Sequence, residues 1–203
     1  MSKGIDTEKF DKVEVTSAEA LRSWLADNHG RDESVWLVTY KASEQQKYVS
    51  REEVLDELIS FGWIDGVRRK LDDSRTMQLI SRRRVQHWAK SYKDRATRLI
   101  EEGRMAPPGL ASIEEGKASG LWNFMDDVDE LIWPDDLKAA LDAEPAARAH
   151  FAAFAPSAQR FTLRWIKLAK SEKTRRARID TTVSRAAKGA FVPGVRMDSK
   201  DDR

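Results

Sequence analysis

The sequence contains no cysteine. This absence excludes a disulfide framework, a thiolate metal site and a cysteine nucleophile, and it is typical of proteins that work in a reducing compartment. Histidine is scarce as well: His29, His87 and His150 are scattered along the chain and lack supporting carboxylates at ligand spacing. We therefore expect neither a metal site nor a cofactor.

Long apolar runs are also missing. Nowhere do about 18 uncharged apolar residues occur together, as a membrane span would require, and the amino end lacks the apolar core of a signal peptide. The sequence has no P-loop, GxSxG, HExxH or dinucleotide-binding fingerprint, so no reaction class is indicated. These absences predict a cytoplasmic protein without membrane insertion, and they favour binding over catalysis.

The charged residues form blocks that alternate in sign. The net charge is −6 over residues 1–65, +7 over 66–104, −7 over 111–150 and +8 over 155–191. The blocks can pair with each other across the fold, or the two basic blocks can converge on one anionic surface. The second reading includes nucleic-acid binding through residues 68–98 and 160–188, although neither block matches a standard nucleic-acid-reading signature.

Strand and helix signals alternate in the amino-terminal half. Residues 10–15 and 35–41 are predicted strands, and the second is central in its sheet because both of its alternating faces are apolar. Ser50 and Glu53 form a capping-box pattern that begins a helix, and Gly62 ends that helix.

A β-hairpin is predicted directly after this helix. Residues 67–71 and 75–81 are its strands, and Asp72, Asp73 and Ser74 form its turn. Just before it, Asp65 and Gly66 can form a tight turn, or Asp65 can be an inward-facing carboxylate held by a basic neighbour. Four polar side chains of the hairpin can share one face: Arg68, Lys70, Arg75 and Gln78.

The densest basic and aromatic cluster follows the hairpin, in residues 82–92. Guanidinium groups there can hold phosphate oxygens while an aromatic ring stacks on a base or sugar. Alternatively, the arginines lie on a solvent-exposed strand end and Trp88 anchors the next helix in the core.

The carboxyl-terminal half shows only helical signals. We predict an α+β fold in which an α+β domain, residues 1–104, carries a small antiparallel or mixed sheet. Residues 105–134 are a predicted linker packed on that domain, because they combine glycine and proline breaks with tryptophans. Residues 135–191 are a predicted helical bundle packed on the sheet domain, and 192–203 a mobile tail.

Several sequence blocks, laid out in order, resemble a known family. They are VWLVTYK, FGWIDG, RKLDD, TMQLISRRR, PPGLASIEEGKASGLW, DDVDELIWPDDL and APSAQRFTLRWIKLAKSEKTRRARI. Over residues 10–191 the chain resembles the bacterial YdeI/OmpD-associated family, also labelled bacteriocin-protection proteins. The resemblance implies a bacterial stress or antimicrobial-peptide protection protein, and it brings no catalytic residue or cofactor with it. Ser60 stands where many relatives are expected to have cysteine, so no thiol role transfers.

The leading hypothesis is a non-enzymatic binder of an anionic small molecule or peptide carboxylate. Its pocket is predicted between the hairpin and the strand end near Lys41, and its ligand-binding residues are Lys41, Trp63, Asp65, Arg68, Lys70, Arg75, Gln78, Arg82 and Trp88. Nucleic-acid binding is the second hypothesis. The third is an enzyme that uses acids and bases drawn from Asp65, Asp72, His87 and Tyr92.

Overall fold

A computed structural model describes residues 9–84 and 86–192. The chain divides into two compact units on either side of the Phe124–Met125 peptide bond. Sheet and helices together confirm the predicted α+β class. Apart from Val192, which is buried, the predicted tail lies outside the described residues.

Unit 1, residues 1–124, is built on a four-stranded mixed sheet in the order β1-β2-β4-β3. Its strands are β1 Lys12–Glu14, β2 Val35–Tyr40, β3 Trp63–Lys70 and β4 Arg75–Arg82. Strand β1 pairs parallel to β2, and the other two pairs are antiparallel. Strand β2 is central and almost entirely buried, as its apolar faces predicted.

The described residues of unit 1 also form four helices: α1 Ala18–Asn28, α2 Arg51–Ser60, α3 Lys90–Glu101 and α4 Pro107–Ala118. The capping box at the start of α2 is confirmed, because the Ser50 hydroxyl accepts from the Glu53 amide at 3.2 Å and the Glu53 carboxylate accepts from the Ser50 amide at 2.8 Å. Gly62, in the left-handed region at φ +71°, follows the end of the helix.

Helix α4 occupies the first part of the segment predicted as a linker, and the boundary between the units falls inside that segment. Sequence reasoning took its glycines as breaks, but two of them lie within α4 and permit close packing. A Cβ added at Gly109 would lie 2.2 Å from the Ser60 carbonyl oxygen, and one at Gly116 would lie 2.6 Å from the Trp88 indole nitrogen. The Ala106 amide, just before α4, donates to the same Ser60 carbonyl at 3.0 Å.

Unit 2, residues 125–203, contains helices and connecting loops but no strand in its described part. Its helices are α5 Asp126–Asp129, α6 Asp135–Asp142, α7 Pro145–Ala153, α8 Pro156–Lys167 and α9 Glu172–Ala186. They enclose a core around the fully buried Phe151. Ser171 caps α9, and its hydroxyl accepts from the Thr174 amide at 3.2 Å.

Within residues 9–84 and 86–192, none of the helices combines the length and apolar content needed to cross a membrane. The same residues contain no group of three histidine, aspartate or glutamate side chains that could hold a metal ion.

Candidate functional site

The polar face of the hairpin depends on a β-bulge. Asp65 pairs with Ile80 and Arg68 with Gln78, so three steps along β3 match two along β4. Because side chains alternate between the faces of a strand, the extra residue places Asp65 and Arg68 on the same face, the one that Gln78 also occupies. Arg68 reaches across it to the hydroxyl of Thr76 at 3.2 Å.

The Asp65 carboxylate lies on this face and is bound by neighbouring side chains. The prediction of a tight turn at Asp65 and Gly66 is wrong, because strand β3 continues through both residues. The Gln78 amide donates to its carboxylate at 3.0 Å, and the Tyr92 hydroxyl of α3 donates to the other carboxylate oxygen. Both of these donors are neutral side chains. Burial, followed by the hydrogen bond to Asp65, raises the pKa of Tyr92. The phenol therefore stays protonated at neutral pH.

Arg83 is a buried cation beside this pair. Only 5% of it is exposed, and its guanidinium carbon lies 4.1 Å from the Trp88 ring centroid and 5.2 Å from that of Tyr92. Burial lowers its pKa to about 10, so it remains charged at neutral pH. No carboxylate forms an ion pair with it, and its buried Nε has no hydrogen-bond partner, among the residues that the structure describes.

The other predicted ligand residues do not converge with Asp65. Arg75 lies on the opposite face of β4, because it is an odd number of positions from Gln78, and it binds Glu14 at 2.5 Å and Asp72 at 2.7 Å. The prediction that it shares a face with Arg68 and Gln78 is therefore wrong. Arg75 instead fixes the hairpin turn, and its hydrogen bond to Asp72 is the largest cause that lowers the pKa of that carboxyl to about 2.

Lys41 and Lys70 also bind this turn. The Lys41 ammonium donates to the carbonyl oxygens of Asp72 at 3.0 Å and Asp73 at 2.7 Å, and Lys70 pairs with the exposed Asp73 carboxylate. A ligand pocket near Lys41 is therefore not supported, since the Lys41 ammonium is already bound to the hairpin turn.

Trp63 and Trp88 are fully buried. The Trp63 indole donates to the His29 carbonyl at 3.1 Å, and Trp88 packs against Trp122 and Arg83. Neither ring has a free surface for a ligand, because the apolar area that suggested stacking is used in the core. The alternative reading of Trp88, as the anchor of the following helix, matches its position.

A cleft of about 270 Å³ lies at the other end of the hairpin. Four segments of unit 1 line it: the end of α1 (His29, Gly30), the turn after α2 (Phe61, Gly62), the end of β4 (Arg82, Arg83) and one face of α4 (Pro108, Ala111, Ser112, Glu115). Of the predicted ligand residues, only Arg82 reaches it. The four α4 residues were missed, because no signal distinguished them while their segment was taken as a linker.

Two opposite charges line this cleft without neutralising each other. Arg82 and Glu115 are both exposed, and in the described part of the chain neither side chain forms an ion pair. The buried cation Arg83 adds positive charge to the same wall. The cleft can therefore offer a guanidinium, a carboxylate and the Ser112 hydroxyl to one bound molecule.

Elsewhere in unit 1 the basic block mostly pairs with acidic residues. Asp56 and Glu57 of α2 are buried, and four arginines surround their carboxylates. These pairs are Arg22–Glu57, Arg104–Glu57, Arg95–Asp56, Arg98–Asp56 and Arg104–Asp56. Ion pairs between the blocks thus compensate much of the positive charge of residues 66–104.

The basic block of unit 2 is less fully paired. Lys167 binds Asp127 at 2.5 Å, and Arg175 binds Asp136 at 2.6 Å. Four exposed cations near the α8–α9 turn have no ion-pair partner within the described residues, and we call them the α8–α9 patch: Arg164, Lys170, Lys173 and Arg176.

Comparison with known families divides the chain close to the boundary between the two units. Residues 130–189 match the family model described as "Bacteriocin-protection, YdeI or OmpD-Associated", and residues 13–112 match one described as a domain of unknown function (DUF8412). Neither a curated protein nor a solved structure matches the chain. The family resemblance is thus confirmed for residues 130–189, whereas a different model covers most of unit 1.

Proposed function

Because residues 130–189 form a domain of the bacteriocin-protection, YdeI or OmpD-associated family, we propose that this chain is a protection-type protein that acts by binding. Unit 1 holds a small anionic molecule or a peptide carboxylate in the cleft beside Arg82. No acid–base pair of the described residues lies in this cleft at hydrogen-bond distance, which favours binding over catalysis.

The observation that carries this proposal is that the Arg82 guanidinium is not bound to a carboxylate of the described residues. Most arginines of the 66–104 block contact a carboxylate, but the Arg82 guanidinium lines a concave surface and lacks such a partner among the described residues. A guanidinium presents a planar fork of donors that matches a carboxylate or phosphate. The neighbouring Arg83 charge strengthens the attraction for an anion, since burial reduces its screening by water.

Replacing Arg82 by alanine is expected to weaken binding of a carboxylate or phosphate ligand by about 10- to 100-fold, as for the loss of a hydrogen bond to a charged group. The measurement is the ligand-induced rise in melting temperature over a panel of carboxylates and phosphates. Arg69→Ala is the matched control, because Arg69 is an exposed cation that stacks on Trp36 and does not line the cleft. Equal shifts in both variants, or no shift in the wild type, would contradict the proposal.

The α8–α9 patch supports a second candidate function, the binding of a nucleic acid through unit 2. Its four cations, which have no ion-pair partner among the described residues, lie within 13 residues of sequence, and Phe161 and Leu168 are exposed nearby in sequence. Cations without carboxylate partners are free to replace the counterions of a phosphate backbone. The basic block of unit 1 supports this function less, because five of its nine arginines already bind a carboxylate.

If this second candidate is correct, Lys173→Glu should weaken binding to single-stranded nucleic acid and reduce the dependence of log K on log salt by about 0.7, the value for one phosphate contact. Lys138→Glu, an exposed charge reversal on α6, should leave that slope unchanged. Fluorescence anisotropy over a salt series measures both. Absence of binding by the wild type even at low ionic strength would remove this candidate.

A further inference from the structure

We propose that the cleft selects a zwitterion, an amino acid or a molecule of dipeptide size, whose carboxylate faces Arg82 and whose ammonium faces Glu115. This inference rests on the proposed function and names its ligand class. It follows from two side chains of opposite charge that line one small cleft and do not pair.

The unpaired state of both charges is the first step. An exposed arginine and glutamate that share a concave surface would be expected to form an ion pair if their heads could meet. Arg82, at the end of β4, and Glu115, on α4, form no such pair. Each therefore keeps its capacity for an external partner, and a molecule that carries both charges can satisfy the two together.

Electrostatics then disfavours ligands with a single charge. A simple carboxylate that binds Arg82 would also face the Glu115 carboxylate, which repels it. A simple amine that binds Glu115 would face Arg82 and the buried Arg83 cation. Like charges at short range across a partly desolvated site reduce affinity, so specificity arises from repulsion as well as attraction.

The start of α4 fixes the orientation of the ligand. A helix amino terminus normally attracts carboxylates through free amide hydrogens. Here the first two helical residues are Pro107 and Pro108, which have no amide hydrogen, and the amides of Gly109 and Leu110 donate to the Ala106 carbonyl. The α4 wall therefore offers little to an anion, and the carboxylate end belongs at Arg82.

The dimensions of the cleft limit the ligand to a small molecule. Its volume is about 270 Å³, and its walls include Gly30, Gly62 and Ala111, which contribute little bulk. Ser112 lies three residues before Glu115 and so on the same face of α4, where its hydroxyl can accept from an ammonium or donate to a carbonyl. These features fit a free amino acid or a very short peptide.

Isothermal titration calorimetry with propionate, propylammonium and three zwitterions, glycine, β-alanine and γ-aminobutyrate, tests the inference. The zwitterion whose charge spacing fits should bind about tenfold more tightly than either singly charged ligand, as expected for one added charge-assisted hydrogen bond. Glu115→Gln should abolish this preference and leave propionate binding equal or tighter. Arg82→Gln should weaken propionate and the zwitterions together.

Glu114→Gln is the matched control, because Glu114 is the adjacent carboxylate on α4 and pairs with Lys117 outside the cleft. If propionate binds through Arg82 but no zwitterion binds more tightly, or if Glu115→Gln preserves the preference, this inference fails and the proposed function stands. If none of these ligands binds, and no carboxylate or phosphate of the panel raises the melting temperature, both the proposed function and this inference fail.

Discussion

Replacing Asp56 by asparagine is expected to lower the free energy of unfolding of unit 1 by about 3 kcal/mol, because it removes the charge from a buried carboxylate that three arginines surround. We place the loss at the lower end for broken buried pairs, since the Arg98 and Arg104 side chains are 43% and 38% exposed and can turn toward water. Urea unfolding followed by tryptophan fluorescence measures the change.

The control for this variant is Glu102→Gln. Glu102 binds Arg98 and Arg104 as well, but 40% of its side chain is exposed. Its loss should cost no more than about 1 kcal/mol, as for other exposed pairs. Similar losses in the two variants would show that burial of Asp56 does not set the strength of this network.

The Asp56 carboxylate also makes the free energy of unfolding depend on pH. Burial acts to raise the pKa of Asp56, but hydrogen bonds from Arg98 and Arg95 outweigh it, so the folded-state pKa is lowered. Its contribution is therefore present above the unfolded pKa of about 3.9 and is lost as the pH falls through the folded pKa. The difference in stability between wild type and Asp56→Asn should shrink below about pH 4, and a constant difference would contradict this assignment.

Replacing Gly109 by alanine is expected to destabilise unit 1 by about 2 to 3 kcal/mol, the upper part of the usual range for overpacking. The new methyl group would overlap the backbone at Ser60, so the end of α2 and the start of α4 would have to separate. That separation would also strain the hydrogen bond from the Ala106 amide to the Ser60 carbonyl. The higher helix propensity of alanine, worth about 1 kcal/mol, is too small to compensate.

Gly30→Ala is the comparison, because a Cβ at Gly30 meets no atom within 4 Å. Its melting temperature should match that of the wild type, while Gly109→Ala should melt lower by several degrees. If Gly109→Ala were as stable as Gly30→Ala, the close approach of α4 to α2 would be excluded.

Sequence reasoning succeeded where the determinant is local. The capping box at Ser50, the left-handed Gly62 and the acidic turn at residues 72–74 each follow from neighbouring residues, and the structure contains all three. The central position of β2 followed from its apolar faces. Such features need only backbone geometry and the order of side chains.

The residues of the candidate site were harder to predict, because their positions depend on strand register and on contacts distant in sequence. One extra residue in β3 decides which face Arg68 occupies, and no pattern marks it. The cleft joins His29, Arg82 and Glu115, which lie on segments more than 30 residues apart. Glycine is ambiguous as well: the same residue that ends α2 at Gly62 allows close packing within α4 at Gly109.

The position of β3 at the edge of the sheet has a consequence for how copies of this protein behave toward each other. An edge strand offers unpaired backbone groups on which a strand of another molecule can add. The bulge interrupts that row, and the exposed Arg68, Arg69 and Lys70 place like charges along it. The bulge and these charges therefore disfavour the addition of a strand from another copy of the chain.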